Sequence, residues 1–405
     1  MNDSQLKLFQ NPYRPGAGHK PPYLAGRSRE KDEFTKLLSQ HVILDNLVLT
    51  GLRGVGKTVL LDEFKPIAIQ QGWLWAGTDM SEAVSVSEQV IAMRIITDIS
   101  VITSDIEIGQ DEILKVGFIR DSIFVSRKLN YETLTAIYNN VPGLVSDKLK
   151  KILEITWSVI RIRNKRGIIF AYDEAQTLSD QAKREQYPLS LLLDVFQSIQ
   201  KMEIPFMLVL VGLPPLFPKL VEARTFAERM FHVVHLDRLN HEESREAIIK
   251  PLEGHPVKLK AKSIEVIIQL SGGYPYFIQF ICREVYDRLL SKLDGGNELN
   301  VPTDEIVHKL DADFFAGRWE RATDRQRELL KIAASLESCD DEFTVQEIVD
   351  KSKESDKPFS NSHANQMLVS LCKSGLIYKN RHGKYSFAVP LLWQFIRRQG
   401  LEHIV

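Results

Sequence analysis

An α/β fold built on a parallel sheet is what this sequence predicts. A small helical domain and a C-terminal domain of short helices with a β-hairpin follow it. Three observations carry that expectation. Runs of consecutive apolar residues, Leu47–Leu49, Ile168–Tyr172 and Phe206–Val211, lack the alternation of a half-exposed strand, as strands buried on both faces do. The first run passes through a glycine-rich turn directly into a helix-forming segment. In the last hundred residues the pattern changes to short helices behind capping residues, followed by two strands around a turn.

The bulk numbers leave a wide field. With 405 residues, 44% hydrophobic and 26% charged, the composition is globular and the chain is long enough for two or three domains. A net charge of −1 means that any surface for nucleic acid must be local. Cys282, Cys339 and Cys372 are far apart and odd in number. They make neither a disulfide framework nor a metal spacing, which fits a reducing cytosol. No run of 18 apolar residues predicts a membrane span, and Met1–Gln10 lacks the basic-then-apolar pattern of a signal peptide. The expectation is a cytoplasmic protein with no membrane partner.

Taken in order, residues 1–23 hold Pro12, Pro15, Pro21 and Pro22 and read as an extended arm. The core is expected over 24–238. Phe34, Leu37 and Leu38 mark its first helix, Asn46–Thr50 its first strand, and Gly72–Gly77 its second. Helices are expected near 86–99 and 147–163. Between them, residues 100–145 read as an insertion, a hairpin plus helix, with an acidic piece and a strand-like stretch from Gly117 to Val125.

Gly51-Leu52-Arg53-Gly54-Val55-Gly56-Lys57-Thr58 fits G-x-x-x-x-G-K-[ST], between a strand and a helix that opens with Val59. Backbone N–H groups at a helix start are unpaired and point at an anion, and the glycines let the chain wrap around phosphates. Residues 51 and 53–59 are therefore the candidate nucleotide contacts, with Lys57 on the β- and γ-phosphates and the Thr58 hydroxyl on Mg²⁺. The bland alternative is a glycine-rich turn with a chance lysine. Gly167–Glu174 then reads as a buried strand ending in two carboxylates, at the strand end where ligands of parallel α/β sheets sit. Asp173 is the expected second metal ligand, and Glu174 the base that polarises the attacking water.

The strand Pro205–Val211 ends in Gly212-Leu213-Pro214-Pro215, with no polar residue to contact a γ-phosphate. Arg224 and Arg229 are expected on a helix before the strand Phe231–Leu236. Each is either a solvated helical arginine or a finger reaching a neighbouring subunit's nucleotide, with Arg229 the stronger candidate. Residues 239–295 are expected to form a helical lid, and Leu293–Asn297 a linker. The domain at 300–405 is expected to be a winged helix-turn-helix. Thr323 and Thr344 are its candidate caps, Asn361–Lys373 its third helix, and Asn380–Gly383 its hairpin turn. Residues 357–401 carry Lys357, Lys373, Lys379, Arg381, Lys384, Arg397 and Arg398 and no acid. Either Lys379, Arg381, Lys384 and the polar start of the 360–373 helix meet duplex DNA, or this surface packs on the chain's own core or on a protein.

In this order the motifs resemble the AAA+ ATPases, in particular the origin-recognition-initiator-like branch and the related STAND ATPases. The resemblance spans about residues 20–400. Leu24–Glu30 looks like the Gly-Arg box that cups adenine, which implies Gly26 and Arg27 as nucleotide contacts. Gly51–Thr58 matches Walker A and Asp173-Glu174 matches Walker B. Gly212-Leu213-Pro214 is similar to the Gly-x-Pro after the sensor strand. Gly272-Gly273-Tyr274-Pro275 resembles the opening of the lid's sensor helix, which implies Pro275 beside the nucleotide. Two departures stand out: Tyr276 occupies the place of a γ-phosphate arginine, and a polar sensor is missing after Val211. The resemblance implies ATP and Mg²⁺, with hydrolysis slow. Three classes remain: a DNA-associated switch of initiator, transposition or defence type; a STAND-type regulator of a protein partner with the winged helix as an internal clamp; and a metabolic kinase. A second copy of the chain is a further candidate partner.

Overall fold

The computed structural model describes residues 10–16, 18–107, 128–255, 257–290, 301–381 and 383–401. The strand-like stretch at 117–125, the linker at 293–297 and His382 of the hairpin turn lie outside them. The chain divides into two compact units, residues 28–50 with 57–235, and residues 1–27, 51–56 and 236–405.

The first unit is the α/β one. Helix α1, Ser28–Leu38, buries Phe34, Leu37 and Leu38, the spacing that places three side chains on one face. Strand β1, Asn46–Gly51, is buried throughout and leads to helix α2, Lys57–Gln70. Phe34 of α1 stacks on Phe64 of α2 at 4.2 Å between ring centroids. Strand β2, Trp73–Ala76, is followed by α3 (Glu88–Thr103), α4 (Tyr131–Asn140) and α5 (Val145–Arg161). The expected 100–145 insertion therefore begins inside α3 and includes α4. Strand β3, Gly167–Tyr172, helix α6, Pro188–Lys201, strand β4, Phe206–Gly212, helix α7, Leu216–Ala223, and strand β5, Phe231–Leu236, complete the set.

The strand order is β2-β3-β4-β1-β5, with parallel pairing of β2 to β3, β3 to β4 and β4 to β1. Strand β4 thus runs between β1 and β3, with Thr50 opposite Gly212 and Tyr172 opposite Leu210. Continuous apolar strands demand cover on both faces, and α3, α5 and α6 supply it on one of them, around Ile96, Leu153, Phe170 and Phe196. Phe170 meets Phe196 and Phe206 edge to face at 5.2 and 5.7 Å, a favoured aromatic geometry.

The second unit is mainly helical. Helix α8, His241–Ile249, starts with an Asn240–Glu243 capping box; α9, Ala261–Ser271, ends at Gly272; and α10, Pro275–Leu290, is rich in aromatics. The arm docks here: Asn11 Nδ2 donates to the Asp287 carboxylate at 2.7 Å, and the Tyr13 hydroxyl donates to the Ile248 carbonyl. Helix α11, Thr303–Leu310, continues into a π-helical stretch, Asp311–Ala316, and a last turn at Gly317–Trp319. Helices α12 (Asp324–Ser335), α13 (Val345–Ser352) and α14 (Asn361–Lys373) follow, the first two capped by Thr323 and Thr344 as the sequence predicts. Strands β6 (Phe343–Thr344), β7 (Ile377–Arg381) and β8 (Lys384–Phe387) form a sheet in the order β6-β8-β7, and α15, Leu392–Leu401, closes the described chain.

Candidate functional site

In the α/β unit the two carboxylates sit where β3 leaves the sheet. Asp173 is buried, and its Oδ2 accepts a 2.5 Å hydrogen bond from the Thr58 hydroxyl in the first turn of α2. Its Oδ1 accepts from the Glu174 backbone N–H at 2.7 Å. The Thr78 and Met80 segment pins the Asp173 backbone, so the carboxylate's place does not depend on the side chain alone. Glu174 itself is exposed and takes a left-handed conformation, φ +51°, which a non-glycine residue adopts only where its surroundings impose it. Beside this pair lies a cavity of about 320 Å³ whose lining includes Thr58, Asp62, Trp75, Asp79 and Asp173. Burial, with Asp173 and Asp79 nearby, raises the Asp62 carboxyl above its ordinary pKa despite the opposing pull of Lys65.

The loop itself, 51–56, belongs to the helical unit. Gly54 and Gly56 have φ of +80° and +92°, and a Cβ on Gly56 would meet no atom within 4 Å. The space at Gly56 is open, whereas a Cβ on Gly54 would stand 3.1 Å from the Tyr276 Cβ. Val55 is buried and anchors the loop. Arg27, also buried, donates to the Val55 carbonyl of the loop at 3.0 Å and to the Asp237 carbonyl, just after β5, at 2.8 Å. Gly26, at φ +64°, lies against Glu243 of the α8 capping box, where a Cβ would come within 2.4 Å of its Cδ.

Pro275 opens α10, and the next residue, Tyr276, donates its backbone N–H to the Gly54 carbonyl at 3.1 Å. One of the orphan donors of a helix start is thereby satisfied by the loop. The Tyr276 ring lies 5.0 Å from Phe314 in the π-helical stretch. Partial burial, and then the neighbouring Arg53 and Arg321, hold Arg318 below the ordinary arginine pKa. Arg53, an exposed loop residue, thus has a second guanidinium near it from the C-terminal region.

The structure corrects the single helix expected around Arg224 and Arg229. Helix α7 stops at Ala223, Arg224 is extended, and Arg229 ends a separate 3₁₀ turn, Thr225–Arg229. At the break Arg224 turns back to α6, where Nε and Nη2 hold the Asp194 carboxylate at 2.8 and 2.7 Å. Arg229 is exposed.

In the C-terminal region, Asn361, Ser362, His363, Asn365 and Gln366 of α14 are exposed, as is Lys379 on β7. Arg381 ends β7 opposite Lys384 of β8. Two members of the acid-free basic run have structural partners. Arg398 pairs with Asp311, and Arg397 donates to the Ala334 carbonyl while covering the Trp393 ring at 4.7 Å. Asp340 accepts from both Arg238 and Trp393. Sequence reasoning overlooked Arg318, the docking of Tyr276 on Gly54, and Gln176, because nothing local marks a contact whose partner is far away in the chain.

A family model described as a domain of unknown function (DUF8462) matches residues 312–396. No curated protein matches. Among solved structures the chain is similar to the Walker-type ATPase PABY2304 of Pyrococcus abyssi, at 16% identity over 96% of this chain and 99% of that one, with a TM-score of 0.59. It is also similar to the Aeropyrum pernix ORC2 protein in its ADP form, at 14% identity over 97% and 98% of the two chains, TM-score 0.52, and in its ADPNP–ADP complexes, at 14% over 98% of each, TM-score 0.51. The chain thus shares the fold of these solved structures, an α/β unit on a parallel sheet of the P-loop ATPase kind. No helix among the described residues is long and apolar enough to cross a membrane.

Proposed function

We propose that this chain is an ATP-binding, slowly ATP-hydrolysing switch. The observation that carries it is the Thr58–Asp173 hydrogen bond, which brings the hydroxyl of the glycine-loop motif onto the buried carboxylate at the end of β3. Thr58 and Asp173 are the residues that would hold Mg²⁺. Among the described residues no group of three or more His, Cys, Asp or Glu forms a metal cage, which fits an ion held largely by phosphate oxygens and water. Bound with the nucleotide, Mg²⁺ supplies charge neutralisation at the phosphates. Lys57 supplies a cation at the start of α2, and Glu174 a proton acceptor at the end of β3. We place the protein in the cytoplasm, where ATP is available and thiols stay reduced, in keeping with its free cysteines.

The contacts of Tyr276 with Gly54 and Phe314 support a switch, because they link the loop directly to the C-terminal region. For the partner we propose duplex DNA, bound by a winged helix whose third helix is α14. The exposed polar start of that helix and the exposed Lys379 support it. DNA affinity is expected to fall steeply with salt, and replacing Lys379, Arg381 and Lys384 together by alanine should lower the slope of log K against log salt by about 2–3. Titration of a labelled duplex at several salt concentrations checks this; an unchanged slope would move the partner to the protein class. The second reading, a STAND-type regulator clamped by its own C-terminal region, is favoured by the Arg238–Asp340 pair at 2.9 Å.

If subunits assemble, Arg229 is our candidate for a finger acting on the neighbour's nucleotide. Arg229→Ala is then expected to lower turnover at concentrations where assembly occurs and to leave the dilute monomer unchanged. Turnover measured across a concentration series, with mass followed in parallel, checks it. An equal loss in the monomer would assign Arg229 a structural role.

A further inference from the structure

The polar residue absent from the end of β4 has a substitute. After Glu174 the chain makes a 3₁₀ turn, Ala175–Thr177, which brings Gln176 back over that strand end. The Gln176 Nε2 amide donates to the Glu174 carboxylate, and its Oε1 accepts the Leu213 backbone N–H at 3.0 Å. Gly212 makes this approach possible, since a Cβ there would stand 2.5 Å from Gln176 Oε1. Lys219 of α7 donates to the Gln176 carbonyl at 2.6 Å and to the Leu178 carbonyl at 3.2 Å, fixing the turn from the other side. One carboxamide therefore ties the Glu174 carboxylate to β4, the strand that lies between the exits of β1 and β3.

We infer that Gln176 is a positioning residue for hydrolysis: it holds the Glu174 carboxylate in register with the end of β4. This rests on the reading of Glu174 as the base. The physical reason is orientation. Glu174 is exposed on an irregular backbone, so without a partner its carboxylate would sample several rotamers, and only those facing the reacting phosphate are productive. The carboxamide suits this task because it offers a donor to a carboxylate and an acceptor to a backbone N–H at the same time.

The two halves of the amide can be separated. Gln176→Glu keeps an acceptor for Leu213 N–H and removes the donor toward Glu174, replacing it with like charge. Gln176→Ala removes both. Steady-state hydrolysis and ATP affinity would be measured for wild type, Glu174→Gln, Gln176→Glu and Gln176→Ala, with thermal melting of each. The expected result is kcat about tenfold lower in Gln176→Glu, with ATP affinity within about twofold of wild type and melting unchanged. Added to Glu174→Gln, Gln176→Glu should cost nothing more, because its effect passes through the same carboxylate. Wild-type kcat in both Gln176 variants, beside an inactive Glu174→Gln, would overturn the inference and leave the base assignment standing. A parallel fall of kcat, affinity and melting temperature in both variants would make Gln176 structural and overturn it too. A wild-type protein that does not hydrolyse ATP would instead overturn the function on which it rests.

Discussion

Replacing Lys57 by alanine is expected to weaken ATP binding about a hundredfold, equivalent to about 2.7 kcal/mol. The estimate follows from the loss of a charge-assisted hydrogen bond to phosphate, which contributes roughly 1.5–3 kcal/mol. The fold should not suffer. Lys57 is the first residue of α2, alanine is the best helix former, and removing a cation from a helix N-terminus relieves an unfavourable interaction with the macrodipole. Isothermal calorimetry with ATP and Mg²⁺, alongside thermal melting without nucleotide, separates the two effects. Micromolar affinity equal to wild type, in a protein that melts normally, would contradict a phosphate role for this loop.

Replacing Glu174 by glutamine is expected to leave ATP affinity within about twofold and to lower turnover by about 10²–10⁴, the range a positioned general base contributes. Glutamine has the size of glutamate and retains one oxygen that can accept from Gln176, so the turn at 175–177 should persist. What disappears is a carboxylate able to take a proton from water. Asp173 is a poor substitute, because it is buried against Thr58, where we place it on Mg²⁺. Phosphate release measured at saturating ATP checks the prediction. Turnover equal to wild type would remove Glu174 as the base. Together the variants have opposite signatures, binding lost in one and chemistry lost in the other, which an unrelated ATPase contaminant would not reproduce.

Much of this arrangement was legible along the chain because it depends on neighbours in sequence. The strand before the glycine loop, the helix after it (expected from Val59, found from Lys57), the strand ending before Asp173, the Thr323 and Thr344 caps and the Asn361–Lys373 helix all follow from local pattern. Arg224 shows where such reading stops. Its spacing predicts a helix, but α7 ends at Ala223 and Arg224 is extended, with a bidentate bond to Asp194, thirty positions earlier. The basic run of 357–401 shows the same limit: Arg397 and Arg398 lie in it, and residues distant in sequence, Ala334 and Asp311, are their partners.

Strand, turn and helix identity, and the chemistry of Gly51–Thr58 and Asp173-Glu174, are short-range properties, set by backbone preference, burial pattern and residue type within about ten positions. The order β2-β3-β4-β1-β5, the closure of Thr58 on Asp173, the Arg27 and Tyr276 bonds to the loop, and the bridge from Glu174 through Gln176 to Leu213 are long-range. Each needs two surfaces to meet whose shapes exist only after the chain has packed. A hydrogen bond between distant residues leaves no periodicity in either segment, so only the folded chain selects that partner from the many of the same chemical type.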